Sequence, residues 1–241
     1  MRVQLEPAFV LHRRPYRDSS LLLEVFSREH GRQGLVARGA RRPKGRWRGL
    51  LEPLQRLRLS WSGRGELGTL TAAEPEARRA IAGDGLYAGY YAGELILRLT
   101  ARADPHPELF DILDSLLAML ADGADPGPPL RLFERDLLAE IGYGVPLTHE
   151  TDSGEPVRPD AAYVYHPAHG LRRGARAAPG EIPIAGDALH ALAAGDLSDT
   201  GHARAARRLL AAGLAAQLGP QPLRTMQTLR ALRRFRHSEE S

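Results

Sequence analysis

The chain has 241 residues, no cysteine and a formal net charge of +4. The missing cysteines exclude disulfide bonds, thiolate zinc sites and cysteine nucleophiles, and no apolar run approaches the roughly 18 residues of a membrane helix. Residues 1–80 hold 17 Lys/Arg against 8 Asp/Glu, whereas residues 81–241 hold 16 against 21. This asymmetry predicts an N-terminal part that faces nucleic acid and a different role for the rest. Because the N-terminus lacks the apolar run of a signal peptide, we expect a cytoplasmic protein with no membrane contact.

The N-terminal third is predicted to form short β-strands. Residues Leu57, Leu59 and Trp61 alternate with Arg56, Arg58 and Ser60, which is typical of a strand with one buried and one wet face. The other predicted strands are Ala8–Leu11, Leu21–Phe26, Gly34–Ala37 and Leu67–Ala73. Five short strands within about 75 residues predict a small closed barrel, of which the oligonucleotide-binding (OB) fold is the common form.

Between the third and fourth strands lies a basic segment, residues 38–48, which we call the basic loop. It contains six cations and no acid: Arg38, Arg41, Arg42, Lys44, Arg46 and Arg48. Gly39, Pro43 and Gly45 argue against a helix or strand, and a loop that cannot fold onto itself needs an anionic partner such as phosphate. Arginine favours bidentate phosphate contacts. Two alternatives stay open: a solvated loop that binds nothing, and a Trp47 that packs against the barrel instead of stacking on a base.

Beyond Pro75 the pattern becomes helical. Leucines at helical spacing mark a helix over residues 109–120, preceded by Asp104–Pro107 and followed by Gly123. The other predicted helices are Leu86–Leu99, Leu130–Ile141, Asp187–Ala194, Thr200–Leu218 and Pro222–Phe235. We expect Tyr87, Tyr90 and Tyr91 to pack into the core rather than to stack on bases. Residues 145–183 are interpreted as an irregular insertion with one weak strand signal, Tyr163–Tyr165.

Motifs for catalysis and cofactor binding are weak or missing. Residues 63–68 match G-x-G-x-x-G, but no helix follows them, which favours a hairpin turn over a nucleotide site. There is no P-loop, no G-x-S-x-G and no H-E-x-x-H, so ATPase and hydrolase activities lack support. His149, His166 and His169 are not spaced like metal ligands. We therefore predict no enzyme activity, no metal and no cofactor.

A basic run also closes the chain. Its cations are Arg224, Arg230, Arg233, Arg234 and Arg236. Positive charge at a helix C-terminus suits the helix dipole. Two roles for this run therefore stay open: a structural one, and a contact with DNA or with an acidic peptide.

Several segments together resemble the RecO family of bacterial recombination mediators. They are Val10–Gly31, Val36–Leu51, Asp104–Phe110, Phe133–Tyr143 and Leu218–Arg224. The resemblance runs in order along most of the chain, which makes it more specific than any single motif.

The resemblance implies an α+β fold in which an OB barrel, residues 1–78, precedes a mostly helical domain, residues 79–241. Many family members carry a four-cysteine zinc module, and the corresponding segment here has none of the thiolates. We therefore expect no structural zinc and an irregular insertion over residues 148–180 in place of that module.

The resemblance also implies a function. The chain would act without catalysis as a mediator that binds single- and double-stranded DNA, anneals complementary strands, pairs with RecR and engages the C-terminal tail of single-strand-binding protein. It would thereby help RecA to load onto coated strands. The alternative is an adaptor that recruits RecR to single-strand-binding protein with little DNA binding of its own. The residues expected to contact DNA are Arg13, Arg14, Arg38, Arg41, Arg42, Lys44, Arg46, Trp47 and Arg48.

Overall fold

A computed structural model describes residues 2–63, 67–77 and 79–229 of the chain. These residues form two compact units. The first, which we call the barrel unit, contains the described residues up to Ala124 and those from Leu223 onward. The second unit is Asp125–Pro222.

Five strands form a closed barrel at the start of the barrel unit. They are β1 (Arg2–Tyr16), β2 (Ser20–Ser27), β3 (Gly31–Ala37), β4 (Arg56–Ser62) and β5 (Leu67–Ala77). Their order is β1-β2-β3-β5-β4, and pairing of β1 with β4 closes the barrel. All neighbours are antiparallel except β3 and β5, which run parallel. The prediction of a five-stranded OB-type barrel is confirmed.

The alternation of β4 places Leu57, Leu59 and Trp61 in the barrel core and leaves Arg58 exposed. The expectation that Ser60 faces water is wrong, because this serine is buried. In β1 the register shifts near Leu5, whose φ of 50° turns its backbone N–H toward β4. That N–H donates to the Ser60 hydroxyl oxygen at 3.0 Å, so a bulge in the neighbouring strand explains the buried serine.

Two helices complete most of the barrel unit: α1 (Gly83–Leu99) and α2 (Pro107–Ala121). The predicted leucine stripe of α2 is buried, and Phe110 packs against Phe9 and Phe26 of the barrel, with ring centroids 4.9 and 6.0 Å apart. Pro107 opens the helix, and Gly123 follows its end with a φ of 84°. The predicted start and stop signals of this helix are confirmed.

The tyrosines of α1 differ from expectation. Tyr90 is 39% exposed, and Tyr87 and Tyr91 are half-buried, so core packing is wrong for Tyr90. The buried face of α1 consists mainly of glycine and alanine. At Gly89 an added Cβ would lie 2.7 Å from a Leu54 methyl carbon. This close approach requires small residues on the packed face of α1. The tyrosines therefore lie at the edge of that face or on the exposed side of the helix.

The second unit combines helices with a small sheet. Its elements are α3 (Gly127–Glu140), β6 (Ala162–His166), β7 (Gly170–Arg173), β8 (Ile182–Ala185), α4 (Gly186–Ala194) and α5 (Thr200–Leu218). The strands form an antiparallel sheet in the order β7-β6-β8. The interpretation of residues 148–180 as an irregular insertion is therefore corrected in part, because β6 and β7 lie inside that segment. The one strand signal read from the sequence, Tyr163–Tyr165, lies within β6. Strands of four or five residues are too short for a period-two pattern to stand out.

Hydrogen bonds hold this cysteine-free segment together. The Thr151 N–H donates to the Leu171 carbonyl, and the Leu171 N–H donates to the Thr151 hydroxyl, both at 2.8 Å. The buried Tyr163 hydroxyl accepts the Arg158 N–H at 2.8 Å. The backbone N–H of Ala178, and then the Arg172 guanidinium, lower the pKa of Glu181. Main-chain and polar side-chain contacts therefore link the strands to the loops around them.

The chain returns to the barrel unit through a short helical segment, residues 224–229. The Glu94 carboxylate of α1 accepts the backbone N–H groups of Arg224 and Thr225 at 2.7 and 2.8 Å. A carboxylate at this position satisfies N–H groups that have no partner within the helix. The predicted final helix starts here, and its continuation to Phe235 lies outside the described residues. No helix in the described part of the chain is long and apolar enough to cross a membrane.

Candidate nucleic-acid interface

The basic loop connects β3 to the segment that leads into β4, and it consists of consecutive turns. The N–H groups of Arg42, Gly45 and Arg48 each donate to the carbonyl three residues earlier, at 2.9 to 3.2 Å. An added Cβ at Gly45 would lie 2.7 Å from the Gly39 carbonyl oxygen. The expectation of a loop without helix or strand is confirmed. The expectation that it cannot fold onto itself is wrong, because glycine allows its backbone to close on itself.

Trp47 anchors the basic loop to the barrel. Its side chain is 4% exposed and belongs to the barrel core cluster. Its indole N–H donates to the Arg38 carbonyl at 3.1 Å, and the Arg46 guanidinium carbon lies 4.1 Å from the ring centroid. Stacking of this indole on a base is therefore contradicted by its burial. The alternative, packing against the barrel, describes its position.

The six cations of the basic loop are accessible to solvent. Each is exposed, and among the described residues no carboxylate lies within ion-pair distance of any of them. The Arg41 guanidinium makes only long hydrogen bonds, 3.5 and 3.4 Å from the carbonyl oxygens of Arg17 and Asp18. A group of exposed and unneutralised guanidinium and ammonium groups creates a positive potential that attracts polyanions.

The two strand residues predicted beside this loop differ in position. Arg13 forms an ion pair with Glu52 at 2.5 Å, and it borders a hollow of the basic loop. Arg14 is exposed. Because successive strand residues point to opposite faces, Arg14 is directed away from Arg13. The structure therefore brings Arg13 to the loop and leaves Arg14 outside the two hollows described below.

Sequence reasoning missed Arg17. This residue lies in the turn between β1 and β2, is exposed, and places its guanidinium carbon 5.2 Å from the Tyr16 ring centroid. The Arg41 N–H donates to the carbonyl of Ser19 in the same turn, at 2.9 Å. The turn and the basic loop are therefore connected. The sequence signal that could have identified it is the polar stretch Arg13–Ser20, in which Arg17 is the last cation.

Two hollows border the basic loop. The first hollow has a volume of about 710 Å³, and its cations are Arg38, Arg42, Lys44 and Arg46. The second hollow has a volume of about 340 Å³, and its cations are Arg13, Arg41, Arg42 and Arg48. Arg42, Pro43 and Trp47 line both.

Several other arginines of the barrel unit have acidic partners. Arg28 forms an ion pair with Asp111 at 2.8 Å, and Arg56 and Arg79 both contact Asp114 at 2.5 Å. The hydrogen bond from Arg28 lowers the pKa of Asp111. These pairs neutralise part of the arginine charge of the barrel unit, whereas the six cations of the basic loop have no such carboxylate among the described residues.

The other candidate sites give no cluster of ligands. The His166 and His169 rings stack with centroids 4.7 Å apart, and His149 contacts the Thr148 hydroxyl at 3.0 Å. Within the ranges that the structure describes, no three His, Asp or Glu side chains gather as metal ligands. Near the G-x-G-x-x-G match, β4 pairs antiparallel with β5 across residues 62 and 69, as expected for a hairpin. Residues 64–66, and Arg230, Arg233, Arg234 and Arg236, lie outside the described residues.

Comparisons with known proteins agree along nearly the whole chain. The family described as the N-terminal part of recombination protein O matches residues 1–78, and its C-terminal part matches residues 82–227. Similar curated proteins include the DNA repair protein RecO of Azoarcus sp. (strain BH72), which is 44% identical over 237 residues, or 96% of this chain and 97% of the relative. The DNA repair protein RecO of Alkalilimnicola ehrlichii is 48% identical over 237 residues, or 97% and 93%. That of Ralstonia nicotianae is 44% identical over 230 residues, or 95% and 84%.

Proposed function

Because this chain belongs to the recombination protein O (RecO) family, we propose that it is a non-catalytic mediator that binds DNA and anneals complementary strands during recombinational repair. The observation that carries this proposal is the set of exposed, unneutralised cations on the anchored basic loop of an OB-type barrel. In OB folds the β1–β2 and β4–β5 loops line the face that binds oligonucleotides. The basic loop is joined to the β1–β2 turn by the hydrogen bond from the Arg41 N–H to the Ser19 carbonyl.

Annealing brings two polyanions together, and the repulsion between their phosphates opposes it. A protein that neutralises phosphates releases condensed counterions, and this gain requires no nucleotide hydrolysis. The chain contains no P-loop motif, in keeping with such a mechanism. The cations expected to contact phosphate are those of the basic loop, together with Arg13, Arg14 and now Arg17.

The partners in this proposal come from family membership. We propose that the chain acts in the cytoplasm on single- and double-stranded DNA, pairs with RecR and engages the C-terminal tail of single-strand-binding protein. Through these contacts it would help RecA to load onto coated strands.

The second candidate is an adaptor that recruits RecR to single-strand-binding protein with little DNA binding of its own. It is supported by a hollow of about 460 Å³ in the second unit, whose lining residues include the apolar side chains of Tyr163 and Ile184 together with His202 and Arg208. An apolar hollow beside a cation suits an acidic peptide that ends in an aromatic residue.

A strand-annealing assay with and without single-strand-binding protein separates these candidates. A mediator accelerates annealing of both naked and coated strands, and the triple variant Arg41→Ala/Arg42→Ala/Lys44→Ala weakens DNA binding for all sequences because phosphate contacts carry no sequence information. An adaptor leaves naked strands unaffected. Unchanged affinity of the triple variant at low salt would contradict the proposed interface.

A further inference from the structure

The two hollows beside the basic loop are lined by different cations. Lys44 and Arg38 line only the first hollow, whereas Arg41 and Arg48 line only the second. None of these four side chains has a carboxylate within ion-pair distance in the described part of the chain. Arg46 also lines the first hollow alone. Each hollow therefore has at least two cations of its own that have no carboxylate partner among the described residues.

The boundary between the hollows is fixed by packing. Trp47 lines both hollows and is held in the barrel core, where it is almost fully buried. Pro43, which also lines both, has a restricted backbone. A core side chain cannot move aside without a large cost in packing, so the hollows stay separate.

Repulsion between the phosphates of two DNA strands favours binding of the strands in different hollows. Two DNA strands in one hollow would place their phosphates next to one another and share the same cations. Two strands in adjacent hollows each have their own cations, and Arg42, which borders both, lies between them. Opposite charge placed between two like charges reduces the net repulsion between them.

We propose that each hollow holds the sugar-phosphate backbone of a different DNA strand, so that a single molecule carries two strands side by side before they pair. This inference rests on the proposed function, because it assigns the strands of the annealing reaction to two places on one loop.

The test uses full-length chains with matched changes in charge. The first-hollow variant is Arg38→Gln/Lys44→Gln, and the second-hollow variant is Arg41→Gln/Arg48→Gln. The control, Arg204→Gln/Arg207→Gln, removes two exposed cations from α5 in the second unit. All three variants lose the same charge, and circular dichroism together with tryptophan emission verifies that each is folded.

Two non-complementary oligonucleotides of about ten nucleotides serve as the probe, one with a donor dye and one with an acceptor dye. Energy transfer between them reports two strands on one molecule, and anisotropy reports binding of each strand alone. We expect energy transfer with the wild-type chain and with the control. Each hollow variant should lose at least tenfold in energy transfer while it still binds one strand. Losing two phosphate contacts should reduce the salt slope for the affected strand by about 1.4.

Several results would overturn the inference while the proposed function survives. In one, the wild-type chain binds DNA but holds only one strand, as when a single strand crosses both hollows. In another, either variant retains full energy transfer. A third is recovery of energy transfer in an equal mixture of the two variants, since separate molecules would then supply the two sites. Absence of any DNA binding by the wild-type chain would overturn the proposed function and this inference together.

Discussion

The barrel unit presents two arginine-rich regions that differ in their partners. In the basic loop, residues 38–48, the cations are exposed and have no carboxylate partner among the described residues. On the side formed by β4 and α2, Arg56 reaches both Glu76 and Asp114, and Arg58 reaches Glu76. The same residue type is therefore proposed to attract a polyanion in one place and joins secondary structure elements in the other. The number of arginines alone therefore does not separate the proposed interface from the ion-paired side of the barrel unit.

The largest effect is expected at Trp47, the residue that anchors the basic loop to the barrel. Trp47→Ala should remove a buried indole and its hydrogen bond to Arg38, with a loss in the free energy of unfolding of about 3–5 kcal/mol. DNA affinity should also fall, because the loop cations lose their fixed positions.

Urea unfolding followed by circular dichroism measures the first effect, and anisotropy of a labelled strand measures the second. Trp47→Phe keeps most of the buried ring and serves as the matched variant, with a smaller loss. Wild-type stability of Trp47→Ala would show that the indole does not anchor the loop.

The next largest effect should be on DNA affinity, which should depend on the charges of the basic loop and not on the ion-paired arginines of β4. Neutralising Arg38, Arg42, Lys44 and Arg48 with glutamine should weaken single-strand binding at least a hundredfold at low salt, since each phosphate contact contributes about 0.7 to the salt slope. The paired variant Arg56→Gln/Arg58→Gln should change affinity by less than about twofold, because those charges are already neutralised. Equal losses in the two variants would remove the distinction between the regions.

The free energy of unfolding should instead depend on the ion pairs between β4 and α2. Asp114 contacts both Arg56 and Arg79, and all three side chains are about four-fifths buried. Asp114→Asn leaves the largely buried Arg79 without its carboxylate and leaves Arg56 with Glu76 alone. This change should cost about 2 kcal/mol of unfolding free energy and leave DNA affinity unchanged. The measurement is urea unfolding in parallel with anisotropy. Reduced DNA affinity at full stability would assign this side to the interface instead.

The smallest effect concerns pH. Hydrogen bonding from Arg28 lowers the pKa of Asp111, so the folded state binds a proton at this carboxylate less readily than the unfolded state. The stabilisation is therefore fully present above the ordinary aspartate pKa of about 4 and is lost as the pH falls through the lower folded pKa. Since both side chains are exposed, salt should weaken it.

Unfolding titrations at pH 7 and pH 3 on the wild-type chain and on Asp111→Asn measure this contribution. The difference between the two proteins should shrink at pH 3. A difference that stays constant across this range would assign the stabilisation to something other than the carboxylate charge.

Local pattern was enough to predict the barrel and most helices. The alternation in β4, the leucine stripe of α2 and the glycine and proline signals at its ends are properties of neighbouring residues, and burial follows from them directly. The composition of residues 38–48 likewise predicted an exposed basic loop. The proposed division of the chain at residues 78 and 79, and the phosphate contacts themselves, stay predictions.

Contacts between residues far apart in sequence determined the burial of Trp47 and the pairing of arginines with carboxylates. The sequence places Trp47 among cations, but the barrel core and the Arg38 carbonyl determine that it is buried. It places Arg13 beside Arg14, but Glu52 pairs with the first alone, and the carboxylates of α2 neutralise arginines that the charge count treats like those of the loop. Short-range patterns report which face of an element is apolar. Only the folded chain determines which charges meet, because ion pairing acts over a few ångströms in space between residues that are far apart in sequence.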